Sequence, residues 1–249
     1  MRRKIFLFQL VLVISFLIFT GCEEAPDDPN TVARLNIEGQ KIKSQGFVDV
    51  ETDKLHELKI VEGPFFDINS VQAAEGKVAI EAQLTEKLAN KGTLMFWLKT
   101  DKLYQAGKNA VRFEEPLVSM EGLFDLSLLH QGNEINIFWK WADGIECVSH
   151  MRILLSEFPR GWNHIAFSWD ASRGFFNGYI DGTSVRIEDV KKPDWNLSES
   201  ASNKVTINAD KFALADLRIM NKPLRSVQIQ PVVTDKYTGK ADHALGSVD

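Results

Sequence analysis

Trp162-Asn163-His164-Ile165-Ala166-Phe167-Ser168-Trp169-Asp170, taken up again at Phe175-Phe176-Asn177-Gly178-Tyr179-Ile180-Asp181-Gly182, is the stretch that decides the fold. Ile165, Phe167 and Trp169 fall on every second position with His164 and Ser168 among the residues between them, the period of a strand with one apolar face. Asp181-Gly182 lies between Ile180 and Thr183, and both residues tolerate the positive φ that a two-residue hairpin turn demands. Strands joined so closely are antiparallel, and one hairpin cannot bury its apolar face unaided.

Outward from this hairpin the same punctuation recurs about every ten residues. Candidate strands are 77–83, 93–99, 123–130, 135–141, 145–153, 162–169, 175–180, 183–187, 204–208 and 212–219, with Asp143-Gly144 and Gln131-Gly132-Asn133 as further turns. So many strands exceed what a single flat sheet can bury. The expected fold is all-β, a two-sheet antiparallel β-sandwich of jelly-roll type whose layers enclose Trp97, Phe167 and Trp169.

The N-terminus has a different character. Arg2, Arg3 and Lys4 precede an almost unbroken apolar run over 5–19, followed by Thr20, Gly21 and Cys22, the layout of a cleaved signal segment. The run is shorter than the roughly 20 residues that span a bilayer as a helix. Removal of 1–21 leaves 228 residues and takes three cations from a formal charge of −5, giving −8. That acidic balance argues against a nucleic-acid partner. Residues 22–45, with Glu23, Glu24, Pro26, Asp27, Asp28 and Pro29, read as an N-terminal spacer. Residues 46–229 read as the sandwich domain, and the polar stretch 230–249 as a tail.

Phe19-Thr20-Gly21-Cys22 resembles the lipobox of bacterial lipoproteins, with Phe19 in place of the usual leucine. The resemblance implies acylation of Cys22, a membrane partner through that anchor, and a place in the bacterial cell envelope on the extracytoplasmic side, at the outer membrane or cell surface. With Cys22 acylated, Cys147 has no disulfide partner.

Three segments resemble the laminin G-like or concanavalin A-like jelly-roll superfamily. They are Gly92-Thr93-Leu94-Met95-Phe96-Trp97-Leu98-Lys99, the hairpin quoted above, and Ala213-Leu214-Ala215-Asp216-Leu217-Arg218-Ile219-Met220-Asn221-Lys222-Pro223-Leu224. The likeness spans 63–229 and implies a concanavalin A-like sandwich. Members of this superfamily bind glycans or proteins, some hold calcium, and related sandwiches are glycoside hydrolases or polysaccharide lyases. Asp216 is the candidate calcium ligand, although Ala215 stands where members often carry a second acid.

The residues themselves offer little for catalysis. Asp49, Glu51 and Asp53 alternate but precede the recognisable domain, Glu114 and Glu115 are adjacent and so face opposite ways in a strand, and Glu121 and Asp125 would stand roughly 13 Å apart if extended. The five histidines, at 56, 130, 150, 164 and 243, lack metal-ligand spacing, and Cys147 reads as a structural thiol. A binding role fits better. Candidate ligand contacts are Trp139 and Trp141, which share a face with Ile135 and Ile137, and Phe138 and Lys140 on the opposite face with Asn136; Asp125, Ser127, His164 and Ser168 could join from neighbouring strands. The alternation places the tryptophans in the core and leaves Asn136, Phe138 and Lys140 on the open side. The expected function is non-enzymatic recognition of an extracellular glycan or an envelope protein. A divergent polysaccharide-acting enzyme and a structural envelope component are the alternatives.

Overall fold

Seventeen strands build the described part of the computed structural model. The structure describes residues 29–38, 41–50, 58–64, 69–73, 79–86, 88, 90–99, 113–131, 134–141, 148–154, 160–188, 202–208 and 212–230. The signal segment, Cys22, the acidic residues after it, Glu51, Asp53, Asp143-Gly144, Cys147 and the tail beyond residue 230 lie outside these residues.

In chain order the first strands are β1 (Thr31–Glu38), β2 (Lys41–Gln45), β3 (Phe47–Val48), β4 (Leu58–Glu62), β5 (Asn69–Ala73) and β6 (Ala79–Leu84). The middle of the chain supplies β7 (Lys91–Lys99), β8 (Phe113–Met120), β9 (Phe124–Gln131), β10 (Glu134–Trp141) and β11 (Val148–Leu154). Then follow β12 (Trp162–Asp170), β13 (Phe175–Ile180), β14 (Thr183–Val185), β15 (Ile187–Glu188), β16 (Lys204–Asn208) and β17 (Leu214–Met220). One sheet has nine strands in the order β14-β13-β12-β7-β17-β1-β5-β4, with β2 paired to β1; the other has eight in the order β15-β11-β10-β9-β8-β16-β6-β3. All pairings are antiparallel among the described residues, so the chain is the expected two-sheet sandwich.

The hairpin that decided the fold closes as its sequence requires. Asp181 and Gly182 take φ values of 46° and 73°, and β12 pairs with β13 from Ile165↔Ile180 to Asp170↔Phe175. Asp181 fastens the turn twice: its Oδ1 accepts the His164 backbone N–H at 2.9 Å, and its own N–H donates to the His164 carbonyl at 2.8 Å. The inward residues of both sheets meet in one core, in which Phe124, Trp139, Trp141, Phe167, Trp169 and Phe176 cluster. Trp139 sits at its middle, with ring centroids 4.0 Å from Phe124, 5.1 Å from Phe167 and 5.4 Å from both Trp169 and Phe176.

Three expectations need correction. The stretch read as spacer contains β1 and β2, and β1 lies inside the nine-stranded sheet between β17 and β5, pairing from Thr31↔Met220 to Leu35↔Leu217. Ala33, Leu35 and Ile37 recur with period two and are buried in the core, which is what makes the segment a strand despite the acids and prolines before it. Next, Trp97 is not between the layers. Phe96 and Leu98 point into the core, whereas Trp97 points to the opposite face of its sheet, where it meets the His164 ring edge-on at 5.0 Å. Finally, 183–187 is not one strand: β14 belongs to the nine-stranded sheet and β15 to the eight-stranded one, so the chain crosses between layers at Arg186.

Candidate functional site

A sandwich has two outer faces, and here they are treated differently. On the outer face of the nine-stranded sheet, Met95, Ala166, Tyr179 and Met220 are covered by Leu224 and Ile229 from the segment after β17. Polar contacts fix this cover: the Leu224 N–H donates to Thr93 Oγ1 at 2.9 Å, Thr93 Oγ1 donates to the Lys222 carbonyl at 2.8 Å, and the Tyr179 hydroxyl donates to the Leu224 carbonyl at 3.3 Å. The Ser226 hydroxyl reaches the Gly182 carbonyl. Ser168 and His164 lie on this face, Ser168 fully buried with its hydroxyl 3.2 Å from that of Thr93, and His164 only 1% exposed against Trp97. The candidacy of His164 as a ligand contact therefore fails, because the ring is packed away from solvent.

The outer face of the eight-stranded sheet presents exposed side chains among the described residues, Asp125, Lys140 and Arg152 among them. Alternation along β10 turns Ile135, Ile137, Trp139 and Trp141 inward and Asn136, Phe138 and Lys140 outward. Phe138 is half-buried and Lys140 exposed. Pairing with β9 sets Phe138 opposite Ser127 and Lys140 opposite Asp125; pairing with β11 sets Phe138 opposite His150 and Asn136 opposite Arg152. The Phe138 and His150 rings are 5.3 Å apart at a tilt of 41°, forming a small aromatic platform. Around it, the Ser127 hydroxyl donates to Glu114 Oε1 at 3.2 Å, and Arg152 pairs with Glu134. Glu115, the neighbour of Glu114, is 4% exposed on the other side of β8.

Two of the candidate aromatics lie on the wrong side for this face. Trp139 and Trp141 are 0% and 1% exposed, enclosed by the core rings described above, and cannot stack on a ligand. The structure thus turns Phe138 and Lys140 outward, with His150 and Glu114 on the same face, and encloses Trp139, Trp141 and His164. Alternation along β10 could find Phe138 and Lys140. His150 comes from a different strand, and only the register of β10 with β11 brings it in.

Asp216 is engaged in another way. β17 carries a bulge between Ala215 and Arg218, and Asp216 takes a left-handed φ of 45° there. Its Oδ1 accepts from Arg34 Nε at 2.8 Å and from Arg218 Nε at 3.0 Å, and its Oδ2 accepts from Arg218 Nη2 at 2.6 Å. Burial alone would push the carboxyl pKa up, but the Arg218 and Arg34 guanidinium groups outweigh burial and hold it at about 2. Calcium requires six to eight oxygen ligands. Both oxygens here are taken by cations, and no group of three or more metal-ligating side chains occurs among the described residues. The donor set does not fit calcium, and the expectation of a metal at Asp216 is corrected accordingly.

Comparison with known proteins agrees with this architecture. Residues 72–230 match the profile of the concanavalin A-like lectin/glucanases superfamily. Among solved structures, the chain is similar to the botulinum neurotoxin serotype D binding domain, at 12% identity and a TM-score of 0.58, covering 83% of this chain and 51% of that one. It is also similar to the binding domain of Paraclostridial Mosquitocidal Protein 1, at 14% identity and a TM-score of 0.55, with 86% and 56% covered. A structure of botulinum neurotoxin type C aligns at 11% identity and a TM-score of 0.58, with 84% and 52% covered. The chain therefore spans about half the length of these proteins, and the likeness is one of fold. No curated protein matches the sequence. With its matched segment running over most of the chain and ending on the strap that closes one sheet face, this chain belongs to the concanavalin A-like lectin/glucanases superfamily.

Proposed function

We propose that the protein is a non-catalytic recognition module for extracellular carbohydrate, tethered at the bacterial envelope through lipid on Cys22, with the outer face of the eight-stranded sheet as its contact surface. The observation that carries this reading is the inequality of the two faces. One is covered by the chain's own segment 221–230; the other presents Phe138 and His150 among hydrogen-bonding side chains. A half-buried aromatic ring on a sheet face can stack on the apolar side of a sugar ring, and the polar groups around it can fix hydroxyls. Botulinum neurotoxin type C, similar in fold, depends on interaction with two ganglioside molecules to enter cells.

A glycan array followed by calorimetry tests the reading. Phe138→Ala is expected to weaken glycan binding at least tenfold, about 1.4 kcal/mol, while the cooperative unfolding transition stays close to that of the parent. Trp139→Ala, by contrast, should lose binding only because it unfolds the core, at a cost of about 3–5 kcal/mol. Unchanged affinity in the folded Phe138→Ala protein would move the contact surface elsewhere. New oligosaccharides in a polysaccharide digest would reject the non-catalytic part of the reading.

The anchor has its own test. β1 begins at Thr31, so eight residues separate it from Cys22. Their reach is at most about 30 Å, which holds the domain close to the bilayer. Cys22→Ser is expected to shift the protein from the membrane fraction to the soluble extract and to abolish fatty-acid labelling. Persistence of the label would count against this cysteine.

A further inference from the structure

Next to Phe138 the outward side chains of five adjacent strands fall into one lateral row. We propose, resting on the recognition reading above, that this face binds a linear glycan laid across the strands, from Phe138 and Lys140 on β10 to Glu81 on β6, and reads several consecutive sugar units. Strand pairing sets Lys140 opposite Asp125, Asp125 opposite Ser119, Ser119 opposite Thr206, and Thr206 opposite Glu81. Alternation turns all five outward, since the residues on either side of each lie in the core. Lys140 and Asp125 are exposed, and Ser119, Thr206 and Glu81 are half-buried. Glu81 also holds Lys204 Nζ at 2.8 Å from its Oε2.

Spacing selects the direction. Neighbouring strands lie about 4.8 Å apart, close to the length of one pyranose unit in a chain, whereas same-face residues along one strand lie about 6.8 Å apart. A glycan crossing the strands therefore meets a fresh hydrogen-bonding side chain at each unit, over about 19 Å and about four units. Along β10 the match is lost, and Glu134 at its far end is bound to Arg152. The row on the other side of Phe138 is broken by Leu129, which stands between Asn136 and Glu114 and is 6% exposed. A sugar stacked on Phe138 thus continues on the Lys140 side. There Lys140 donates to hydroxyls, Asp125 and Glu81 accept from them, and Ser119 and Thr206 do both. Hydrogen bonds to the three charged groups are the stronger ones.

The test uses the mature chain and size ladders of cello-, laminari- and manno-oligosaccharides, from two to about six units, measured by calorimetry. In at least one ladder, affinity is expected to climb about tenfold between two units and four and then to level off. The double variant Ser119→Ala, Thr206→Ala removes the middle of the row and leaves Phe138 in place. It should weaken the four-unit probe about tenfold, keep the two-unit probe within about twofold, and unfold cooperatively like the parent. Phe138→Ala should weaken every length. Equal affinity for two units and four, a climb that continues unabated to six, or a folded double variant that holds the four-unit probe as tightly as the parent overturns the row and leaves the recognition reading standing. Retention of no probe by the folded parent overturns both.

Discussion

A protein shortened to begin at Gly46 is expected not to fold. Such a chain keeps everything the sequence alone marks as the domain and loses β1 and β2. β1 lies within the nine-stranded sheet, so its removal bares the edge of β17 over Thr31–Leu35 register and leaves β5 without its β1 contact. Val32, Ala33, Leu35 and Ile37 leave the core together, and Leu35 and Ile37 pack near Ile80, Ile207, Leu214 and Leu217 at the same end of the sandwich. Three of these are large aliphatic side chains, each contributing about 1.5–3 kcal/mol by burial, so the loss is about 6 kcal/mol against a typical total of about 5–15 kcal/mol. Circular dichroism of the shortened protein should show no cooperative thermal transition. A sharp transition near that of the mature chain would mean that β1 is a dispensable addition. A protein cut to the matched segment, which begins at residue 72, lacks more still and is expected to fail in the same way.

Much of this architecture was legible because period-two patterning is a direct imprint of burial on one face. Phe175–Ile180 and Lys204–Asn208 appear with the bounds the sequence suggested, and the Asp181-Gly182 turn with the positive φ values it needs. Where reading failed, a second physical effect masked the period. β7 is buried on both faces, by the core and by the strap after β17, so Leu94 to Leu98 form an unbroken apolar run and the direction of Trp97 cannot be read from it. β8 contains Glu114, Glu115, Pro116 and a bulge between Pro116 and Val118, which break the apolar period and keep it out of the candidate strands. β1 alternates cleanly at Ala33, Leu35 and Ile37, but it follows the acidic, proline-containing residues expected of a spacer, and composition prevailed over period. The open face was half legible for the same reason. Phe138 and Lys140 follow from alternation within β10, whereas His150 and Glu114 arrive through strand pairing, which no local pattern encodes.

Asp216→Asn is expected to destabilise the fold about as much as emptying the centre of the core. In the parent, two guanidinium groups stand opposite each other across the β1–β17 pair and share one carboxylate, with side chains 17%, 7% and 1% exposed for Arg34, Arg218 and Asp216. Replacing the carboxylate by an amide leaves both cations facing each other with little water to solvate them. Breaking a buried pair in this way costs about 3–5 kcal/mol. For a chain of this size that lowers the melting temperature by about 10 °C. The same cluster predicts an acid response. The Asp216 carboxyl is held at about 2 in the folded protein, below the value of roughly 4 for an unfolded aspartate. A depressed carboxyl contributes its stability above the unfolded pKa, and that contribution, about 2 kcal/mol, is lost as pH falls from about 4 through about 2. Denaturant titrations over that range should show the parent losing this increment while Asp216→Asn, already without the charge, lacks it. Arg34→Gln should cost less, because Arg34 is the more exposed partner and Arg218 still holds both carboxylate oxygens. If Asp216→Asn melted within a degree or two of the parent, the cluster would be a solvated surface pair instead of the clamp that joins β1 to β17, and the first prediction would then rest on apolar burial alone.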